Sequence, residues 1–388
     1  MPDLPDFPWD TLAPYKARAA AHEDGIVDLS VGAPVDSTPQ VVQRALADAA
    51  DAPGYPQTVG TAQLRAAIVD WFARRRHVTL GPDAVLPTIG SKELVAWLPT
   101  LLGLGAGDVV AIPPVAYPTY EVGARIAGAT PVVAGVPDDL PALDAAATPR
   151  LLWVNSPANP HGQVLGVEHL RAVVGWARAH GVVVASDECY AELDWRPGHL
   201  GQATPSILHP DVCGSSHAGL LALYSLSKQS NLAGYRAAFV AGDPTLIGRI
   251  REVRRHAGMM MPAPVQHASA VALGDDGHVR AQRATYGRRR ERLAAAVEGA
   301  GLRIEHSEAG LYLWATRDED CWRTVADLAD RGILVAPGTF YGALGARHVR
   351  ISLTATDERV EAACSRLRSQ APGPDLPGAP LPRQDRLG

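Results

Sequence analysis

The chain predicts an α/β protein of two domains: a large one built on a mostly parallel sheet, then a smaller α+β one. Three observations carry this expectation. Between residues 151 and 228, short β-rich runs alternate with amphipathic helical stretches, as in strands joined by crossover helices. Polar residues cluster just past the carboxyl end of each run, where open α/β sheets bind their ligands. Beyond about residue 300 the pattern changes to short strands interleaved with helices, and 388 residues suffice for two domains.

Each element has its own signal. Residues 61–76 carry Leu64, Ala67, Ile68, Trp71 and Phe72 at helical spacing. Residues 151–154 read as a buried strand ending in the turn-rich Asn155-Ser156-Pro157-Ala158-Asn159-Pro160, and a helix over about 168–179 stops at Gly181. Residues 182–185 form a second strand that closes on Ser186-Asp187-Glu188, and 220–224 a third that runs into Ser225-Leu226-Ser227-Lys228. A long charged helix around 280–298 leads to strands at 312–315, 333–336 and 349–353, alternating with helices at 322–331 and 357–368. Residues 371–388 hold five prolines without periodicity and are expected to be a disordered tail. The boundaries drawn are 1–45 for an N-terminal arm with part of the small domain, 46–285 for the large domain and 286–370 for the small one.

Composition narrows the function. The chain is 47% hydrophobic and 20% charged, with no apolar run long enough to span a bilayer. Its acidic, Pro-rich start is unlike a signal peptide, so a cytoplasmic location is expected. A net charge of −5 leaves no electrostatic footprint for nucleic acid, and neither nucleic acid nor membrane is an expected partner. Arg74-Arg75-Arg76 and Arg288-Arg289-Arg290 are expected to be solvated helix faces. Four scattered cysteines without a Cys-x-x-Cys pair, and histidines without ligand spacing, point to no metal.

Only three lysines stand against 33 arginines, and one of them is Lys228. Guanidinium stays protonated, whereas a buried ammonium can lose its proton and attack a carbonyl. The scarcity is equally consistent with a coding bias toward Arg, and a lone Lys after a strand is as readily a surface side chain. Its neighbours sharpen the choice: Ser225 lies three residues before it and Arg236 eight after, within Asn231-Leu232-Ala233-Gly234-Tyr235-Arg236. Further motifs are Gly90-Ser91-Lys92-Glu93-Leu94, Pro113-Pro114-Val115-Ala116-Tyr117-Pro118-Thr119-Tyr120, Asp187 with Tyr190 three residues on, and Val349-Arg350-Ile351-Ser352. Taken singly, Gly-Ser-Lys could cap a helix, Asp187 could do the same, and Tyr117 could be a core side chain.

Together, and in this order, these motifs resemble the class I/II aminotransferases, pyridoxal-phosphate enzymes of fold type I, over roughly residues 10–370. The resemblance implies a seven-stranded sheet in the large domain and pyridoxal 5′-phosphate as cofactor. Lys228 would hold the cofactor as a Schiff base and shuttle the substrate's proton. Ser225, Arg236 and the backbone of Gly90, Ser91 and Lys92 would bind the phosphate, since a guanidinium fork and a helix start both suit phosphate oxygens. Asp187 would pair with the ring nitrogen, which must stay protonated for the cofactor to act as an electron sink. Tyr190 and Asn159 would contact the phenolic oxygen, and Tyr117 would stack on the ring. Arg350 would grip the substrate α-carboxylate, helped by the Gly32 backbone. Tyr55 would reach the phosphate of a neighbouring copy, making a homodimer with shared sites. His161 stands where the family usually has Thr, which bears on loop shape more than on chemistry.

Segments such as Asp6-Phe7-Pro8-Trp9-Asp10 and Ser307-Glu308-Ala309-Gly310-Leu311-Tyr312-Leu313-Trp314 look closer to the succinyldiaminopimelate aminotransferases of actinobacteria. That branch implies amino transfer between glutamate and N-succinyl-2-amino-6-oxopimelate, with amino acids and 2-oxo acids as partners. The Gly258-Met259-Met260-Met261-Pro262 run is a candidate pocket wall, with core packing equally open. The scaffold also hosts other aminotransferases, lyases, cyclases and oxidases. An aminotransferase-like ligand sensor is the remaining alternative.

Overall fold

The computed structural model of the protein describes residues 4–135, 148–199 and 203–369; the tail expected at 371–388 lies outside them. In chain order the elements are α1 (Ala13–Ala20), β1 (Val27–Asp28), α2 (Gln40–Asp48), α3 (Ala62–Arg76), β2 (Val85–Ile89), α4 (Ser91–Leu101), β3 (Val109–Ile112), α5 (Thr119–Ala127) and β4 (Thr130–Val133). Next come β5 (Leu151–Asn155), α6 (Val167–His180), β6 (Val183–Asp187), α7 (Pro210–Cys213), β7 (Leu220–Ser225), α8 (Leu226–Gln229), β8 (Ala237–Gly242), α9 (Pro244–His256), α10 (Ala263–Gly274) and α11 (Asp276–Gly299). The remainder is β9 (Arg303–Glu305), β10 (Tyr312–Thr316), α12 (Cys321–Asp330), β11 (Ile333–Leu334), β12 (Ala336–Pro337), β13 (His348–Ser352) and α13 (Asp357–Arg368).

Seven strands form one sheet in the order β2-β8-β7-β6-β5-β3-β4, with β8 alone antiparallel to its neighbours. Strands β5, β6 and β7 are almost wholly buried, as expected of a parallel sheet covered on both faces. One core, holding Trp71, Phe72, Tyr224 and Phe239, packs on one side. A second, holding Tyr120 and Trp153, packs on the other. Gly181 takes the left-handed conformation that ends α6, a position that favours a residue without Cβ.

A four-stranded antiparallel sheet, β12-β13-β10-β9, stands apart from the first and has its own core with Tyr286, Leu293 and Val325. The single strand expected at 333–336 is split. β11 pairs with β1 while β12 pairs with β13, so the chain changes sheets at Val335. No helix among the described residues is long and apolar enough to cross a membrane.

The two arginine runs are not solvated faces. Arg76 and Glu188 face each other at 2.7 Å with side chains only 1% and 2% exposed. Arg75 grips the buried Glu192 at 2.5 Å. Arg289 is likewise buried, bonded to Asp36 and Asp357 at 2.6 Å each. Only Arg74 and Arg288 match the expectation of exposure. The reason is position: Arg76 continues the Leu64, Ile68, Phe72 row at a four-residue step on the buried side of α3.

Candidate active site

The carboxyl edge of the seven-stranded sheet gathers the polar ends of three neighbouring strands. Asn155 of β5 lies in register with Asp187 of β6, and Ser225 ends β7. Ser225 then caps α8 by accepting from Ser227 N–H at 3.1 Å, which sets Lys228 within one turn of the strand. A cavity of about 800 Å³ opens there. It is lined by Lys228, Asp187, Asn159, Tyr190, Ser225, Arg236, Ser91, Lys92, Tyr117, Gly32 and Arg350. Gly90 flanks it through Arg236. Of the residues expected to bind cofactor or substrate, Tyr55 stands away, 96% exposed on the loop before α3.

Lys228 donates from Nζ to the Gly32 carbonyl at 2.5 Å. Gly32 is held close: a Cβ there would fall 2.1 Å from the Tyr312 hydroxyl. Asp187 is buried without a cationic partner among the described residues. Its carboxylate accepts from the Tyr120 hydroxyl at 3.0 Å and the Cys189 N–H at 3.2 Å. Burial pushes its pKa up, and hydrogen bonds from Cys189 and Tyr120 offset part of that. Tyr120 stacks on Trp153 at 4.7 Å and meets Tyr117 edge-on at 5.9 Å, so one ring braces both the carboxylate and Tyr117. Burial raises the Tyr117 phenol to about 12, so it stays protonated at neutral pH.

At the opposite wall, Gly90 adopts φ +86°, and a Cβ there would lie 2.2 Å from a guanidinium nitrogen of Arg236. Gly90 is thus the notch through which Arg236 reaches the start of α4. Arg236 itself sits in the left-handed region, donates to the Ala233 carbonyl at 2.9 Å and is paired with no carboxylate among the described residues. An unneutralised guanidinium beside a helix N-terminus is an anion site in waiting. The Lys92 amine, expected to be a bystander, also faces the cavity, 5.6 Å above the Phe7 ring. Partial burial and the Arg236 charge shift it toward the neutral amine.

Arg350 rises from β13 into an aromatic seat. Its guanidinium carbon lies 4.0 Å from the centre of the Tyr312 ring, 5.0 Å from Tyr341 and 6.0 Å from Trp9. It donates to Asn159 Oδ1 at 3.0 Å and the Ser30 carbonyl at 2.6 Å, while its buried Nε has no partner. Asn159 is fixed by its own N–H to Asn155 Oδ1 at 2.7 Å. The Tyr190 hydroxyl lies 3.2 Å from that of Tyr312.

Sequence reasoning gave no role to Tyr120, Tyr312, Cys189, Phe7 or Trp9, yet all touch the cavity or its lining. No local signal marked Tyr120 or Tyr312, because their partners lie far off in the chain. The proposed Met wall is not there: residues 258–262 do not line the cavity, and Met261 packs in the core. His161 lines a second cavity of about 330 Å³, together with His306 and His348. Burial, reinforced by those two rings, lowers His161 to about 4.

Comparison with known proteins agrees with this geometry. A family model described as aminotransferase class I and II matches residues 24–367. The chain is 57% identical over 368 residues to the 4-dedimethylamino-4-oxo-anhydrotetracycline transaminase OxyQ of Streptomyces rimosus, covering 95% of this chain and 100% of that one. It is 59% identical over 366 residues to a probable aminotransferase of Mycobacterium tuberculosis, covering 94% and 85%. Among solved structures, a probable N-succinyldiaminopimelate aminotransferase from Thermus thermophilus superposes with a TM-score of 0.83 at 29% identity, covering 93% and 99%.

Proposed function

We propose, since this chain belongs to the class I and II aminotransferases and these are pyridoxal-phosphate enzymes, that it moves an amino group between glutamate and N-succinyl-2-amino-6-oxopimelate. The observation that carries the reading is the convergence of Lys228, Asp187, Arg236 and Arg350 on one cavity. The residues fit the cofactor. Arg236 with the start of α4 suits a phosphate, Asp187 is a buried carboxylate in want of a cation, and Lys228 offers an amine between them.

When bound, pyridoxal phosphate supplies the electron sink that lets the Cα–H bond of an amino acid break. The chain's own residues do the rest. Arg236, Ser225 and the backbone of Gly90, Ser91 and Lys92 hold the phosphate. Asp187, braced by Tyr120 and Cys189, keeps the proton on the ring nitrogen. Tyr117 would cover the ring face, while Tyr190 and Asn159 would contact its phenolic oxygen. Lys228 would hold the cofactor through its amine and, as a free amine, would take the Cα proton on Nζ and pass it on. Arg350, helped by the Gly32 N–H, binds the α-carboxylate; its unpartnered buried Nε supports that role. Tyr55 completes the phosphate site of a second copy, so the working unit is a homodimer.

The long acceptor, with three carboxylates, is supported by the volume of the cavity and by Lys92, an amine on its wall without a carboxylate partner among the described residues. Likeness to the Thermus structure supports it as well. A second reading, amination of a polycyclic ketone, is favoured by full-length similarity to OxyQ and by the aromatic wall of Phe7, Trp9 and Phe340. The visible absorbance of the purified protein separates them. We expect N-succinyl-LL-diaminopimelate to bleach the cofactor band and 2-oxoglutarate to restore it. A protein that responds to glutamate but ignores that amine retains transamination and loses this acceptor. Lys228→Ala should remain folded and lose turnover by roughly 10⁴-fold or more; undiminished turnover would sink the assignment.

A further inference from the structure

Tyr312 belongs to β10, opposite β13, and lies diagonal to Arg350 across the antiparallel ladder. Diagonal side chains on one face of a sheet are within reach of each other when they are long or aromatic. The Arg350 guanidinium therefore lies over the Tyr312 ring, its carbon 4.0 Å from the ring centre. The hydroxyl end of the same side chain points the other way. It meets the Tyr190 hydroxyl at 3.2 Å, with the two rings nearly perpendicular at 72°. Gly32 makes this reach possible, because any Cβ there would occupy the place of the Tyr312 oxygen.

We infer that Tyr312 is a positioning residue with two separable duties: its ring seats Arg350, and its hydroxyl orients the hydroxyl of Tyr190. The inference rests on the reading above, in which Tyr190 contacts the phenolic oxygen of the cofactor. Tyr190 has one hydroxyl proton, so if it donates to that oxygen the 3.2 Å contact is made with Tyr312 as the donor. The chemistry of the pair agrees. Burial pushes the hydroxyls of Tyr117, Tyr120, Tyr190 and Tyr341 up. In Tyr312 the same burial is outweighed by the positive charges of Arg350 and Lys228, which pull it down. The two cations beside Tyr312 thus favour it as the donor of the proton between the two phenols. Tyr190, having accepted, becomes the stronger donor toward an anionic oxygen in the cavity.

Two variants separate the duties. Tyr312→Phe keeps the ring and removes the hydroxyl. The midpoint of the pH titration of the bound cofactor's visible absorbance should rise by about half to one pH unit, with KM for glutamate within about twofold of wild type. Tyr190→Phe should give a shift of the same sign, and the double variant should add little to it, because the two hydroxyls act in series. Tyr312→Leu removes the ring as well and should raise KM for glutamate by about tenfold. Thermal melting of each variant shows that the core is intact. A Tyr312→Phe protein that titrates at the wild-type midpoint overturns the hydroxyl duty. A Tyr312→Leu protein with wild-type KM overturns the seat. A wild-type protein that takes up no pyridoxal phosphate overturns the underlying reading, an outcome distinct from either.

Discussion

Gly32 shows how tightly a single position is determined in this site. Its carbonyl holds the Lys228 amine, and its missing side chain leaves room for the Tyr312 oxygen. A methyl group there has to displace the Tyr312 phenol, which is itself pinned between Tyr190 and Arg350. Gly32→Ala should therefore destabilise the protein by about 1–3 kcal/mol and lower turnover at least tenfold. Chemical denaturation and steady-state rates would measure the two effects, and a wild-type result in both would show the loop to be pliant. At this scale the sequence was informative wherever chemistry is tied to a local motif. Lys228, Ser225 and Arg236 share one short stretch, and Asp187 and Tyr190 share another. Tyr312 and Tyr120 were opaque because their partners are 122 and 67 positions away. No local pattern records such a contact.

Helices α3 and α11 carry the clearest lesson about elements. The charge runs at the end of α3 and in the middle of α11 look like solvent-facing residues, yet only Arg74 and Arg288 are exposed. Arg76 lies over the Trp71 ring at 5.8 Å and pairs with Glu188, the residue that follows Asp187 in the chain. Glu188 also accepts from Ile207 N–H at 2.8 Å and Ser206 Oγ at 3.1 Å. The strand end that presents Asp187 is thus clamped from beneath. Removing one partner leaves a buried charge alone, so Arg76→Met should cost about 3–5 kcal/mol. Adding Glu188→Leu should recover much of that loss, because an apolar pair of similar volume avoids the desolvation penalty. Urea unfolding of the two single variants and the double one checks this; strict additivity would rule out the pairing. The helical period did carry a hint, since Arg76 falls on the row of Leu64, Ile68 and Phe72. Which acid it would meet depended on tertiary placement, and composition is silent on that.

For the molecule as a whole, a mostly parallel sheet followed by a smaller α+β unit was readable from the alternation of strand and helix, the seven strands were implied by the family likeness, and their order is seen only in the structure. The role of Tyr55 was assigned by family likeness, and within one chain the side chain points into solvent. Val31, Val35 and Tyr235 are exposed apolar neighbours in sequence of Gly32 and Arg236, a surface that a second copy would cover. Light scattering should give twice the chain mass of 41.0 kDa. Mixing Lys228→Ala with Tyr55→Ala chains under subunit exchange should restore activity, since the hybrid holds one complete site. A mixture no better than its parts would argue against shared sites. The scarcity of lysine has a practical sequel. Of the three side-chain amines, Lys92 and Lys228 open on the same cavity and Lys16 lies exposed on α1. An acylating reagent followed by peptide mass spectrometry would find Lys16 always modified, an internal standard. Protection at Lys228 and Lys92 would then report cofactor and substrate occupancy in an unpurified extract, without any assay of turnover.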